Sequence, residues 1–230
     1  MTLKLIDLSQ EIYQGMTIYP IHQKTFIMTN QTHEESMEAT GSKLGFSARN
    51  LLISEHAGTH SDGVYEYNPN GPTIDNMPLD YFWGSAICID VSHIRYPNYF
   101  EPRDLEQAVK KSGQEIKEGD IVLLYTGHHD RYFGTDMFQA EYSGLSYDGA
   151  KWLADQGVVN IGVDAPAVDL TPDDNDFSAH QVCGEYNITN TENLLNLDKV
   201  VNKRFLYMGL PLKIRDGTGS PIRAVALLEE

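Results

Sequence analysis

Residues 55–62 read Glu-His-Ala-Gly-Thr-His-Ser-Asp, and the H-x-G-T-H-x-D run within them gathers His56, His60 and Asp62. Imidazole and carboxylate are the ligands that Zn²⁺ and Mn²⁺ take. An extended chain advances about 3.3 Å per residue, which would hold the two histidines roughly 13 Å apart. Ligands of one ion each sit only about 2 Å from it. The chain must therefore turn back between them, and Gly58 has no Cβ to resist the turn. On a helix His56 and His60 would share a face, with Asp62 pointing elsewhere. The preceding run, 48–54, reads as a strand, and Gly58-Thr59 is poor helix material. The motif is expected where a strand ends in a tight bend. A loop with two hydrogen-bonded histidines and a turn aspartate would carry the same letters without a metal.

A second group lies far along the chain. Residues 160–170 form an apolar run ending in Asp164-Ala-Pro-Ala-Val-Asp169-Leu, as buried strands do when they deliver groups to a site. An acidic loop follows, Thr171-Pro-Asp-Asp-Asn-Asp176, and then His180 and Glu192. His180 and Glu192 can complete a metal site begun by the first motif, and the two oxygens of Asp62 can bridge two ions. Each also has a plainer role, His180 as a loop histidine and Glu192 in the first turn of a helix opening near Thr189 or Thr191. Asp164 and Asp169 can orient ligands or cap turns. His128 and His129 follow a buried strand, where loops often carry function. Tyr13, Tyr19, Phe82 and Trp83 can wall an aromatic pocket or pack in the core. No G-x-S-x-G elbow, no G-x-G-x-x-G after a strand and no P-loop is present.

These groups need a scaffold. Strands are expected over 3–8, 51–54, 83–91, 120–126, 158–163, 200–209 and 223–228. Helices are expected over 102–111 and 146–155, the second capped by Ser146 with Gly157 just past its end. Residues 21–47, with His22 and His33, read as an exposed arm or hairpin. Strand, helix and strand alternate in the middle, which argues for an α/β layer in one domain over 1–230.

The chain has 230 residues, is 41% hydrophobic and carries a formal net charge of −16. That charge argues against nucleic acid and anionic membranes as partners. It would also repel an anionic substrate at long range unless metal ions reverse the local field. The two cysteines are too few for a disulfide framework; Cys88 reads as a core residue. Cys183 fits the core better than a metal site. There is no signal-peptide core or bilayer-length apolar run, so the expected compartment is the cytoplasm.

Four motifs together resemble the cyclase family of metal-dependent hydrolases, which includes bacterial kynurenine formamidases and isatin hydrolases. They are Leu8-Ser-Gln-Glu-Ile-Tyr-Gln-Gly-Met-Thr-Ile-Tyr-Pro20, the run His56 to Tyr67, Gly162 to Asp169, and Ala179-His180 followed by Glu192-Asn-Leu-Leu-Asn-Leu197. The resemblance implies a compact single-domain α/β fold, mostly β in its core and flanked by helices, of the swivelling β/β/α kind. It implies that His56, His60 and Asp62 hold one Zn²⁺ or Mn²⁺ ion, and that Asp62, His180 and Glu192 hold a second where two bind. It implies hydrolysis of a C–N or C–O bond in a small amide, lactam or lactone. It also implies homodimers or homotetramers in which an N-terminal segment can reach a neighbour's site. His128 stands where the family has a pocket residue and is expected to touch substrate, with Tyr19 and Trp83.

The chain departs from the family at one point that matters. The family's H-x-G-T-H-x-D-[AS]-P-x-H-[FY] has a proline and a second histidine where this chain has Val64 and Glu66. Glu66 can act as the acid–base group in place of that histidine, or become a ligand. The change also leaves room for a metal- or ligand-binding protein without turnover, or for a lyase or dehydratase on the same scaffold.

Overall fold

The structure is a computed structural model and describes residues 2–170 and 177–229; the acidic loop 171–176 lies outside the described residues. The strands are β1 (Leu3–Asp7), β2 (Phe26–Gln31), β3 (Ala48–Leu52), β4 (His60–Asp62), β5 (Trp83–Asp90), β6 (Ile121–Tyr125), β7 (Asn160–Val163), β8 (Thr189–Glu192), β9 (Arg204–Met208), β10 (Gly219–Pro221) and β11 (Val225–Glu229). The helices are α1 (His33–Thr40), α2 (Pro102–Ser112), α3 (His128–Tyr132), α4 (Tyr147–Asp155) and α5 (Ser178–Tyr186).

Nine strands form one sheet in the order β1-β11-β9-β5-β6-β7-β8-β4-β10. The centre, β5-β6-β7-β8, is parallel, and both flanks are antiparallel. Helices α2, α4 and α5 make the crossovers that parallel neighbours require. Alternate residues of the central strands face opposite ways. Ile87, Ile89, Val122, Leu124, Ile161 and Val163 pack against the helices. Ala86, Cys88, Ile121 and Leu123 face a second core with Leu8, Leu194, Tyr207 and Ala224. A bridge between Ser9 and Leu194 ties the chain after β1 to the chain after β8, so the sheet curls over this second core. The result is the mixed α/β, mostly β fold that was expected.

Local sequence accounts for α2 and α4. Pro102 opens α2, Glu101 and Asp104 cap it reciprocally, and Gly113 closes it in the left-handed region. The Ser146 hydroxyl accepts from the Gly149 amide at the start of α4.

Two expectations need correction. No helix opens near Thr189: the chain there is β8, because it pairs with β7 on one side and β4 on the other. The strand expected before the motif is β3, which ends at Leu52 and pairs with β2. The arm 21–47 contains α1, which has its own capping box between Thr32 and Glu35. Among the described residues no helix is long and apolar enough to cross a membrane.

Candidate metal centre and active site

Register and side-chain alternation assemble the site. His60 of β4 pairs directly with Glu192 of β8. Residues two apart on a strand share a face. His60, Asp62, Asn190 and Glu192 therefore converge on one side of the β4–β8 ladder. Ser61 and Thr191 occupy the other side, their hydroxyls 2.7 Å apart. His56 enters from the bend before β4. Gly58 has φ +63 there, a conformation that glycine adopts without strain. Gly219 makes room for the ring, since a Cβ on it would lie 2.7 Å from His56 Cε1. His180 arrives on the first turn of α5.

The five expected ligands are all buried and meet. Two donor sets of three have ligand atoms within 4.8 Å of one another: His56, His60 and Asp62, and Asp62, His180 and Glu192. Asp62 is common to both. Its Oδ1 is 2.8 Å from His56 Nδ1 and 3.4 Å from His60 Nε2, and its Oδ2 is 3.5 Å from His180 Nε2. Glu192 lies 3.4 Å from His60 Nε2 and 3.2 Å from His180 Nε2.

Outer contacts aim the rings. His60 Nδ1 faces the Gly58 carbonyl at 2.9 Å, leaving Nε2 for the centre. His180 Nδ1 is held by the Asp169 carboxylate, which also accepts from the Ala179 amide at 2.6 Å. His56 Nε2 meets the Thr218 hydroxyl at 3.0 Å, and Thr218 is itself held by Glu55. Such partners fix tautomer and ring orientation.

The electrostatics suit cations. Burial opposes charge on His60, yet Asp62 and Glu192 hold its pKa up at about 9. Burial likewise opposes charge on His180, but Asp169 and its neighbours hold it well above the ordinary value. Asp62 stays well below its ordinary value against burial, because His56 and His60 face it. Oxygen and imidazole donors of this number and spacing fit one or two divalent ions.

Glu66 stands beside this centre on a short 3-10 turn, Val64–Glu66. Its Oε1 is 3.6 Å from His56 Nε2, and its buried Oε2 has no hydrogen-bond partner among the described residues. Burial, followed by the Asp62 charge, pushes its pKa up to about 10.

A pocket of about 430 Å³ opens over the centre. Tyr19 and His22 line it from the chain before β2, with Tyr67, Tyr142 and Phe177 among its aromatic walls. Residues 17–22 thus serve the site of their own chain. The His22 ring stacks on His56 at 4.9 Å, and Tyr67 stacks on His180 at 4.0 Å.

Other expected residues lie elsewhere. His128 is buried, but it turns to the Phe138 carbonyl and lines a different cavity, because α3 starts at His128 and carries its ring away from the pocket. Trp83 begins β5 and is exposed, its indole bonded to Asp80. Phe82 packs in a small core with Val64, Ile74 and Met77. Cys183 is buried in the helix-side core. Asp164 accepts from the Thr126 amide and hydroxyl and has no contact with the centre.

Sequence reasoning missed Asn190, whose amide donates to Asp62 at 2.6 Å and to Glu192 at 3.2 Å. A signal existed: in a strand containing Glu192, position 190 shares its face. Reading that stretch as a helix hid it. His22, Thr218 and Gly219 carried no comparable sequence signal.

The model of the putative cyclase family matches residues 6–170. The kynurenine formamidase of Bacillus cereus (strain ATCC 14579) is 30% identical over 226 residues, spanning 97% of both chains. That of Paracidovorax citrulli is 28% identical over 222 residues, 96% of this chain and 95% of the other. Among solved structures, an isatin hydrolase bound to the product analogue thioisatinate has a TM-score of 0.87 at 22% identity, covering 99% of this chain and 93% of that one. Isatin hydrolase A from Ralstonia solanacearum also gives 0.87 at 22%, covering 99% and 92%. These two structures speak to fold, and the family match and the curated relatives to kinship. On the strength of that match and those relatives, this chain belongs to the putative cyclase family of hydrolases.

Proposed function

We propose that the chain is a metal-dependent hydrolase that uses water to open a C–N or C–O bond in a small, uncharged amide, lactam or lactone. The observation that carries this reading is the pair of donor sets sharing Asp62 at the pocket. His56, His60 and Asp62 would hold one ion, and Asp62, His180 and Glu192 a second, with Zn²⁺ and Mn²⁺ both suited to the donors. A divalent ion supplies an acidified water and polarises a carbonyl oxygen.

The protein's own groups do the rest. Glu66 takes a proton from the attacking water as its oxygen joins the carbonyl carbon. It passes that proton to the nitrogen or oxygen that leaves. A bound cation would offset the charges of Asp62 and Glu192 and so favour the ionised form of Glu66 that a base needs. The family's histidine is absent, yet an acid–base group still stands beside His56. Tyr19, Tyr67, Tyr142 and Phe177 offer ring faces to a flat substrate. Among the described residues no lysine or arginine lines the pocket, which supports an uncharged substrate over one bearing a carboxylate.

The names of the relatives fit the same class of bond, one set being kynurenine formamidases and the other isatin hydrolases. We also infer a second copy of this chain against the arm and β3, where Met28, Phe46 and Leu51 are exposed. Two buried free thiols suit the cytoplasm.

The test is elemental analysis of the purified protein together with a screen of neutral lactams, lactones and formamides. Expected are one or two divalent ions per chain, loss of turnover with chelator, and recovery with Zn²⁺ or Mn²⁺. Glu66→Gln should keep the metal and lose at least 100-fold in kcat. Full turnover in chelator-stripped protein would overturn the reading.

A further inference from the structure

A second cavity, of about 60 Å³, lies apart from the catalytic pocket, between the segment 126–143 and the loop after β5. Arg95, Arg131, His128, Glu141 and Ser143 are among the residues lining it. Two donors there are unfinished. Ser143 is only 7% exposed, and among the described residues its buried hydroxyl has no hydrogen-bond partner. Arg131 donates from Nη2 to the Thr126 carbonyl at 2.8 Å, but among the described residues its buried Nε has no partner. A buried donor left unpaired costs about 1–3 kcal/mol, so such groups are normally completed by a ligand or water.

Charge decides between the two. In a chain of net charge −16, two arginines share this cavity. Burial and then the charge of Arg95 pull the Arg131 guanidinium below its ordinary value, against Asp164. The nearby acids bond neutral donors, Asp164 the Thr126 amide and hydroxyl and Asp130 the Tyr125 hydroxyl at 3.0 Å, and Asp164 offsets part of the Arg131 charge. Glu141 is exposed, and no ion pair joins it to either arginine among the described residues. A water would leave the repulsion of two cations in place, whereas an anion removes it. The volume holds roughly four to six water-sized centres at about 10–15 Å³ each, the size of a small oxoanion.

We propose that this cavity is a binding site for a small oxoanion, a phosphate or a carboxylate, held by Arg131 and Arg95 with the Ser143 hydroxyl as a third donor. Guanidinium groups match the paired oxygens of both ions. The site is independent of what the catalytic pocket hydrolyses. It shares a wall with that pocket, since Tyr142 and Gln139 line the pocket from the same segment.

Calorimetric titration of the full chain with inorganic phosphate, and separately with sodium formate, at constant ionic strength tests this. One ion per chain is expected, and the tighter of the two identifies the source. Arg131→Gln and Arg95→Gln should each raise the Kd at least tenfold, and Ser143→Ala several-fold. Binding should survive chelator treatment, which separates it from ions at the metal centre. Should Arg131→Gln fail to fold, Arg95→Gln on the exposed loop carries the test. Absence of saturable binding of either ion up to tens of millimolar, an unchanged Kd in Arg95→Gln, or loss of binding with chelator would each overturn the proposal.

Discussion

Asn190 sets the spacing of the two central carboxylates, because one amide group bonds to both. Without it, Asp62 and Glu192 would repel each other with less to hold them. Asn190→Ala is expected to weaken metal binding about 10–100-fold, the usual effect of losing an outer partner. Competition with a chromophoric chelator would measure it. Asp169→Asn should do the same by freeing the His180 ring, and a variant with unchanged affinity would remove Asp169 from the positioning role. The candidate donors themselves were legible as residue types, since imidazole and carboxylate declare their chemistry at any position. Asn190 and Thr218 were not, because amides and hydroxyls occur everywhere and only a neighbour gives them a task.

Two elements carry the heaviest constraints. Gly144 passes against the chain at Asp169, where a Cβ would lie 1.8 Å from the Asp169 carbonyl carbon. Gly144→Ala must push that backbone aside. We expect a loss of about 3 kcal/mol or more in urea unfolding, with weakened metal binding as Asp169 moves. Helix α3 holds His128 largely out of water, and burial lowers its pKa to about 4 although the Phe138 carbonyl opposes this. The sign follows directly. The unfolded chain takes up this proton near pH 6.5 and the folded chain only near 4, so stability is present above 6.5 and falls as pH drops through that window. The full difference is about 3 kcal/mol. His128→Gln should flatten this part of the stability–pH curve relative to the parent protein. At this scale the central strands and α2 and α4 could be read from their apolar runs and caps. Helix α5 and strand β8 could not, since their lengths are short and their partners distant.

Across the whole molecule two apolar cores lie on either side of the sheet, while the arm and β3 keep Met28, Phe46 and Leu51 exposed. If a second copy covers them, Phe46→Lys combined with Leu51→Lys should halve the mass seen by light scattering while leaving the helical signal intact. An unchanged mass would place any interface elsewhere. The −16 charge has a separate consequence: anionic substrates meet long-range repulsion that salt relieves. A carboxylated analogue should show a higher KM than its neutral counterpart, with the gap narrowing as ionic strength rises.

The letters of the chain were enough for the donor types, the turn at Gly58, the α/β alternation and the kinship, because each rests on local chemistry or on short patterns. They could not say which cavity His128 would enter, nor that Asn190 would stand between Asp62 and Glu192. Those outcomes depend on strand register and on the angle at which α3 leaves β6. Both are settled when side chains far apart in the chain compete for the same buried space.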